Sequence, residues 1–121
     1  MLARILVIED DDLERDMFRE ILEKAGYEVD VASNGREGLS IFRDEPADVV
    51  VTDIMMPEKD GIELIRELRQ EYPETRIIAI TGVRGQYNRL PAASNLGANH
   101  TLMKPFRTQE LFEKVGELLN N

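Results

Sequence analysis

Short apolar segments alternate with amphipathic segments along the whole chain. Five of them have the composition of β-strands, at residues 4–8, 28–32, 48–52, 76–80 and 100–103. Three of the five are nearly continuous in Val, Ile and Leu, which is typical of central parallel strands that are covered on both faces. Segment 28–32 alternates between apolar and polar residues, so it predicts an edge strand with one solvated face.

The segments between these strands predict helices, each with recognisable start or stop residues. In the first, apolar residues recur at helical spacing, and these are Leu13, Met17, Phe18, Ile21 and Leu22. Asp11 and Glu14 resemble a capping box at its start, and Gly26 suits a left-handed cap at its end. Further helices are predicted to begin at Asn34 and Gly61, and a last one carries Leu111, Phe112, Val115, Leu118 and Leu119.

The connection after the fourth strand differs from the others. It contains Gly82, Gly85 and Pro91, of which the two glycines disfavour helix and the proline suits a first helical turn. We expect a long mobile loop at 82–90 and a short fourth helix at about 91–96. The alternation then amounts to (βα)5, and right-handed crossovers would give a doubly wound parallel sheet in three α/β/α layers.

Composition narrows the classes of function. The chain has 121 residues, with 15 Lys and Arg against 24 Asp and Glu, and its formal net charge is −9. This charge argues against direct nucleic-acid binding and against attachment to anionic membranes. No apolar stretch is long enough to span a bilayer, and no signal peptide is visible. The absence of cysteine excludes disulfides and thiolate catalysis and fits a cytoplasmic location.

Charged and hydroxyl side chains recur where the predicted strands end. Asp53 closes the third strand, Glu9 and Asp10 follow the first, and Thr81 and Lys104 end two later ones. In a doubly wound sheet the first and third strands lie side by side, where ligands bind at their carboxyl ends. Three carboxylates that close would repel one another unless a cation were present, and hard oxygen ligands suit Mg²⁺.

This set of groups suits phosphoryl transfer. An aspartate such as Asp53 can act as a nucleophile and form an acyl phosphate. Lys104 and Thr81 offer a point charge and a hydroxyl donor for phosphoryl oxygens. Each residue also has an ordinary interpretation, such as an acidic helix start for Glu9 and Asp10 or a turn residue for Asp53. Their coincidence at one edge of one sheet favours a functional site.

Together these motifs resemble the receiver domain of bacterial response regulators, the CheY-like superfamily. The resemblance rests on Ile5–Asp11, Asp53–Pro57 with Asp60 and Gly61, Thr81 with Gly82, and Lys104–Phe106, and it covers essentially the whole chain. It implies a flavodoxin-like sheet with strand order 2-1-3-4-5. We therefore expect residues 1–121 to be a single receiver domain of a two-component phosphorelay, with no output domain in this chain.

The resemblance also implies a role for each site residue. Asp53 would be the phosphoacceptor, and Thr81 and Lys104 would contact the phosphoryl group. Glu9 and Asp10 would form the acidic pair, with Asp10, Asp53 and the backbone carbonyl of Met55 binding Mg²⁺. The donor would be a phosphohistidine on a sensor histidine kinase or a histidine phosphotransfer protein. The phosphorylated form would switch the binding of a downstream protein that the sequence does not identify.

Two departures from the family pattern modify these expectations. Thr101 occupies the position three residues before the lysine where the family usually has an aromatic residue, so switching through that aromatic is not expected. We expect the loop 82–90 to order instead when Thr81 shifts. The charged pairs of the dimer-forming subfamily are not clearly reproduced around residues 99–101 and 107–109, which favours a monomer or a weak homodimer.

Other function classes fit the sequence less well. A phosphatase with an aspartate nucleophile would need a substrate-capping insertion and a second acid two residues past Asp53, where Met55 stands. A nucleotide-binding module would need a Gly-rich loop after the first strand. A degenerate receiver that serves only as an interaction scaffold is an alternative, although all key side chains are present. We therefore expect no enzymatic activity beyond self-catalysed phosphotransfer and autodephosphorylation.

Overall fold

Five parallel strands form one sheet in this computed structural model, which describes residues 2–54, 61–82 and 97–120. The strands are β1 (Arg4–Ile8), β2 (Glu28–Ala32), β3 (Val49–Asp53), β4 (Arg76–Gly82) and β5 (His100–Lys104). Their order is β2-β1-β3-β4-β5, and every neighbouring pair is parallel. This confirms the predicted doubly wound sheet.

Four strand boundaries differ from the prediction, and three of the changes concern the edge that carries the polar residues. β3 ends at Asp53, β4 ends at Gly82 and β5 ends at Lys104, so these residues belong to the strands themselves. At the opposite edge β3 begins at Val49, and the carboxylate of the preceding Asp48 accepts a hydrogen bond from the Arg4 N–H at 2.8 Å. Ladder pairing across the sheet therefore extends the strands beyond their apolar runs.

The described helices are α1 (Asp12–Lys24), α2 (Gly35–Asp44), α3 (Gly61–Glu71) and α4 (Thr108–Leu119). The helix expected at 91–96 and residues 83–90 of the expected loop lie outside the described residues. None of the helices in the described ranges is long and apolar enough to cross a membrane.

Local capping chemistry sets several helix ends. The Asn34 side chain accepts a hydrogen bond from the Glu37 N–H at 2.8 Å, and Asp11 accepts one from the Glu14 N–H at 2.9 Å. Gly26 follows α1 with a φ of 96°, in the left-handed region expected for it. The capping box is only half formed, because the Asp11 N–H donates to Glu9 Oε2 at 3.2 Å and not to Glu14.

The sheet separates two apolar layers, which completes the three-layer arrangement. One layer packs α2 and α3 against alternate residues of the sheet, through Leu39, Phe42, Ile62, Leu64, Ile65 and Leu68. The other packs α1 and α4 against the opposite face, through Phe18, Leu22, Leu111, Val115 and Leu118.

Not all apolar residues of the α1 pattern are buried. Leu13 is 82% exposed and Met17 is 48% exposed, although both share the apolar pattern of α1. The helix packs on the sheet through Phe18 and Leu22, which lie four residues apart on one face. Leu13 and Met17 therefore lie to the side of the buried stripe, on the surface.

Candidate functional site

Acidic side chains from two neighbouring strands meet at the carboxyl edge of the sheet. β1 and β3 pair directly, with Ile8 opposite Thr52, so Glu9 and Asp53 emerge side by side. Glu9, Asp10 and Asp53 each present an oxygen within 4.8 Å of the others. Glu9 is only 2% exposed and Asp53 only 9%. The sequence predicted this cluster from the position of the switch point, and the structure places the residues accordingly.

The cluster encloses one ammonium group, which β5 supplies from the far side of the sheet. Lys104 Nζ lies 2.9 Å from Glu9 Oε1 and 3.3 Å from Asp53 Oδ2. A third carboxylate, Glu14 Oε2 of α1, lies 2.9 Å from the same nitrogen. Burial lowers the pKa of Lys104, but contacts with Glu14 and Glu9 raise it by more, so the net pKa lies above its usual value. The lysine is therefore charged at any physiological pH.

The buried Glu9 carboxyl has a strongly shifted pKa. Burial raises its pKa to about 8, and the nearby charge of Asp53 acts in the same direction. The hydrogen bonds from Lys104 and from the Asp11 N–H oppose this shift without cancelling it. The acidic groups of the cluster thus outnumber its one ammonium group. Glu9 is buried, whereas Asp10 is exposed to solvent. Hard carboxylate oxygens in such excess fit a divalent cation.

Thr81 lies at the same edge, on β4 between β3 and β5. Ile80, which precedes it, is paired with Asp53, and Gly82, which follows it, is paired with Lys104. Thr81 is 4% exposed. A second hydroxyl, Thr52 Oγ1, donates a hydrogen bond to the backbone oxygen of Asp53 at 2.9 Å. The end of β3 is thereby held by its own side chains as well as by the ladder.

The start of α3 presses against the end of β3. The Gly61 N–H donates to the Ile54 carbonyl oxygen at 2.9 Å. A Cβ on Gly61 would collide with the Asp53 backbone oxygen and would stand 2.7 Å from Ile54 Cα. Only a residue without a side chain allows this close approach. Met55, expected to offer its carbonyl to the cation, lies outside the described residues.

A comparison with known protein families identifies the family of this chain. The model of the response regulator receiver domain matches residues 5–116, which is nearly the whole chain. The chain belongs to the response regulator receiver domain family. It is therefore a receiver domain of two-component response regulators.

Relatives of this receiver domain are response regulators from several bacteria. The response regulator MprA of Mycolicibacterium vanbaalenii is 38% identical over 119 residues, which is 98% of this chain and 51% of that protein. A probable transcriptional regulatory protein of Picosynechococcus sp. is 39% identical over 124 residues, covering 97% of this chain and 49% of that protein. This chain spans about half the length of these curated relatives.

Solved structures agree with the fold. A response regulator receiver domain protein from Clostridium thermocellum has a TM-score of 0.92 at 36% identity, covering 98% of this chain and 95% of that chain. A CheY-like receiver domain protein from Methanospirillum hungatei has a TM-score of 0.91 at 34% identity, covering 99% of this chain and 95% of that one.

Two contacts at the edge of this receiver domain were not predicted from its sequence. Thr52 was counted only as part of an apolar run, and Glu14 only as a capping residue. The long-range contact of Glu14 could not be predicted, because the spacing of Glu14 from Asp11 already explained this residue as part of a helix cap.

Glu14 and Lys104 also line a groove of about 670 Å³ between α1 and α4. The other residues of the groove are Met17, Phe18, Ile21, Gly82, Pro105, Phe106, Thr108 and Leu111.

Proposed function

We propose that the Asp53 carboxylate accepts a phosphoryl group from a phosphohistidine, on a sensor histidine kinase or a histidine phosphotransfer protein. The observation that supports this most directly is the Lys104 ammonium, 3.3 Å from Asp53 Oδ2 and 2.9 Å from Glu9 Oε1. The proposed nucleophile and the proposed cation ligands Glu9 and Asp10 thus lie in one cluster, which also holds a positive charge. The phosphorylated form would then bind a downstream protein differently from the unphosphorylated form.

The residues of the site suit each part of this transfer. An Asp53 oxygen attacks phosphorus, a new P–O bond forms, and the P–N bond to the imidazole breaks, leaving the histidine to take up a proton. Lys104 carries the charge that a phosphoryl oxygen attracts, and Thr81 offers a hydroxyl donor to another. Glu9, Asp10, Asp53 and the Met55 carbonyl are the proposed ligands of Mg²⁺, which when bound would neutralise the charge between nucleophile and phosphoryl group.

The proposal also covers where and how the domain acts. The domain would act in the cytoplasm, as a monomer or weak homodimer, without contacting nucleic acid or membrane itself. Its chemistry would be limited to phosphorylation of its own aspartate and the loss of that group. Switching would not involve an aromatic side chain on β5, because Thr101, which is paired with Ala79, occupies the position where the family usually has one.

Incubation with acetyl phosphate and Mg²⁺ tests the proposal. We expect the intact mass to increase by one phosphoryl group, and the modification to be cleaved by hydroxylamine as an acyl phosphate would be. The increase should disappear when EDTA removes the cation. A protein that neither gains this mass nor responds to beryllofluoride with Mg²⁺ in its NMR spectrum would be a scaffold and not a phosphoacceptor.

The affinity for Mg²⁺ should rise with pH. The pKa of Glu9 is raised to about 8, so this carboxyl is largely protonated below that pH and becomes an anion above it. We expect the affinity to increase by up to about tenfold per pH unit between roughly pH 6 and pH 8 and then to level off. Calorimetric titration with Mg²⁺ measures this, and Glu9→Gln should flatten the profile. A wild-type affinity independent of pH in this range contradicts the prediction.

A further inference from the structure

The Lys104 ammonium is shared between the site and a carboxylate outside it. Glu14 Oε2 lies 2.9 Å from Lys104 Nζ, as near as Glu9 Oε1 and nearer than Asp53 Oδ2 at 3.3 Å. An ammonium has three protons, and these three carboxylates engage all of them. Glu14 thus belongs to the electrostatic environment of the site although it lies on α1, beyond the acidic cluster.

The orientation of Glu14 supports a specific role for this contact. Its position at the start of α1 would allow its carboxylate to return to the Asp11 N–H and complete a capping box. Glu9 Oε2 takes that N–H at 3.2 Å, and the Glu14 carboxylate turns to the lysine. Long-range attraction therefore outweighs the local cap at this residue.

We propose that Glu14 is a positioning residue that stabilises the unphosphorylated state by holding Lys104. This inference rests on the proposed phosphorylation of Asp53. A phosphoryl group on Asp53 brings new anionic oxygens that compete with Glu14 for the same ammonium, and the Glu14 charge also repels them. Glu14 thereby limits how strongly the site binds a phosphoryl group.

Burial indicates which carboxylate releases the lysine. The Glu9 side chain is only 2% exposed, so losing Lys104 would leave a buried carboxyl oxygen without its hydrogen-bond partner and without water to replace it. The Glu14 side chain is 37% exposed and can exchange the lysine for water with a smaller penalty. Because Glu14 also lines the groove between α1 and α4, this exchange leaves an unpaired charge on a surface outside the site.

Glu14→Gln tests the proposal with beryllofluoride and Mg²⁺ as the phosphoryl mimic. The amide keeps the shape of the side chain but removes its charge. We expect the dissociation constant for beryllofluoride, followed by NMR, to fall about 3- to 10-fold. The matched control is Asp16→Asn, which removes one charge from the exposed side of the same helix, and it should change the constant by less than about twofold.

A second measurement on the same variants needs no phosphoryl mimic. The ¹⁵N signal of the Lys104 ammonium should change in Glu14→Gln and stay the same in Asp16→Asn. An unchanged lysine signal, or beryllofluoride binding in Glu14→Gln that is equal to or weaker than in the wild type, would overturn the role of Glu14 alone. A wild-type protein that does not bind beryllofluoride would overturn the proposed function together with it.

Discussion

Asp53→Asn is expected to abolish phosphorylation by acetyl phosphate, lowering the rate of labelling by about three orders of magnitude or more. A neutral amide oxygen is a far weaker nucleophile than a carboxylate, and it cannot form an acyl phosphate. The fold should survive the change, because Lys104 keeps its contacts with Glu9 and Glu14. Intact-mass spectrometry after incubation with Mg²⁺ and acetyl phosphate measures the loss directly.

The stability of this variant gives a second expected result. The charge of Asp53 is one of the causes that raise the pKa of Glu9, so its removal relieves repulsion inside the cluster. The melting temperature of Asp53→Asn without Mg²⁺ should therefore equal or exceed that of the wild type.

Asp44→Asn makes the matching change at the exposed last residue of α2 and should be labelled like the wild type. If Asp53→Asn were labelled at the wild-type rate, the phosphoacceptor would have to be another residue.

Gly61→Ala is expected to destabilise the fold by about 2–3 kcal/mol. The added Cβ would collide with the Asp53 backbone oxygen and approach Ile54 Cα to 2.7 Å, and both neighbours are backbone atoms that cannot rotate away. Either α3 must move outward or the end of β3 must shift. Because β3 ends with the proposed nucleophile, we also expect the affinity for beryllofluoride to fall. Urea denaturation and an NMR titration measure the two effects.

Gly116→Ala is the matched control for this substitution. Gly116 is also a helical glycine, in α4, but a Cβ there would meet nothing within 4 Å. Alanine should stabilise the helix at that position by about 0.5–1 kcal/mol, since glycine loses more backbone entropy on folding. Equal effects of the two substitutions would show that the contact between α3 and β3 does not constrain Gly61.

The sheet and its acidic edge could be predicted from the sequence because both follow from local patterns. The composition of a five-residue apolar segment is enough to indicate a β-strand. Asn34 marks a helix start through a hydrogen bond to a residue three positions away, and Gly26 marks a helix end through its own backbone angle. The positions of Glu9 and Asp53 at strand ends made their meeting a consequence of parallel topology. The family motifs then supplied the strand order that the pattern alone leaves open.

Tertiary structure decided what depends on partners far away in sequence. Arg69 of α3 donates hydrogen bonds to the Gly97 carbonyl at 2.6 Å and to Asn99 Oδ1 at 2.7 Å, just before β5 begins. No local sequence pattern predicts these bonds. Leu13 fits an amphipathic helix yet remains outside, because only the angle at which α1 meets the sheet determines which apolar residues are covered.

Glu14 illustrates the same division within a single side chain. Its spacing from Asp11 determined a helix start, and the Glu14 N–H does bind Asp11. Its carboxylate had two possible partners, a neighbouring N–H and an ammonium ninety positions along the chain. Sequence determines the chemistry that each group offers, whereas only the folded chain brings the distant charge within 2.9 Å, where it outweighs the local hydrogen bond.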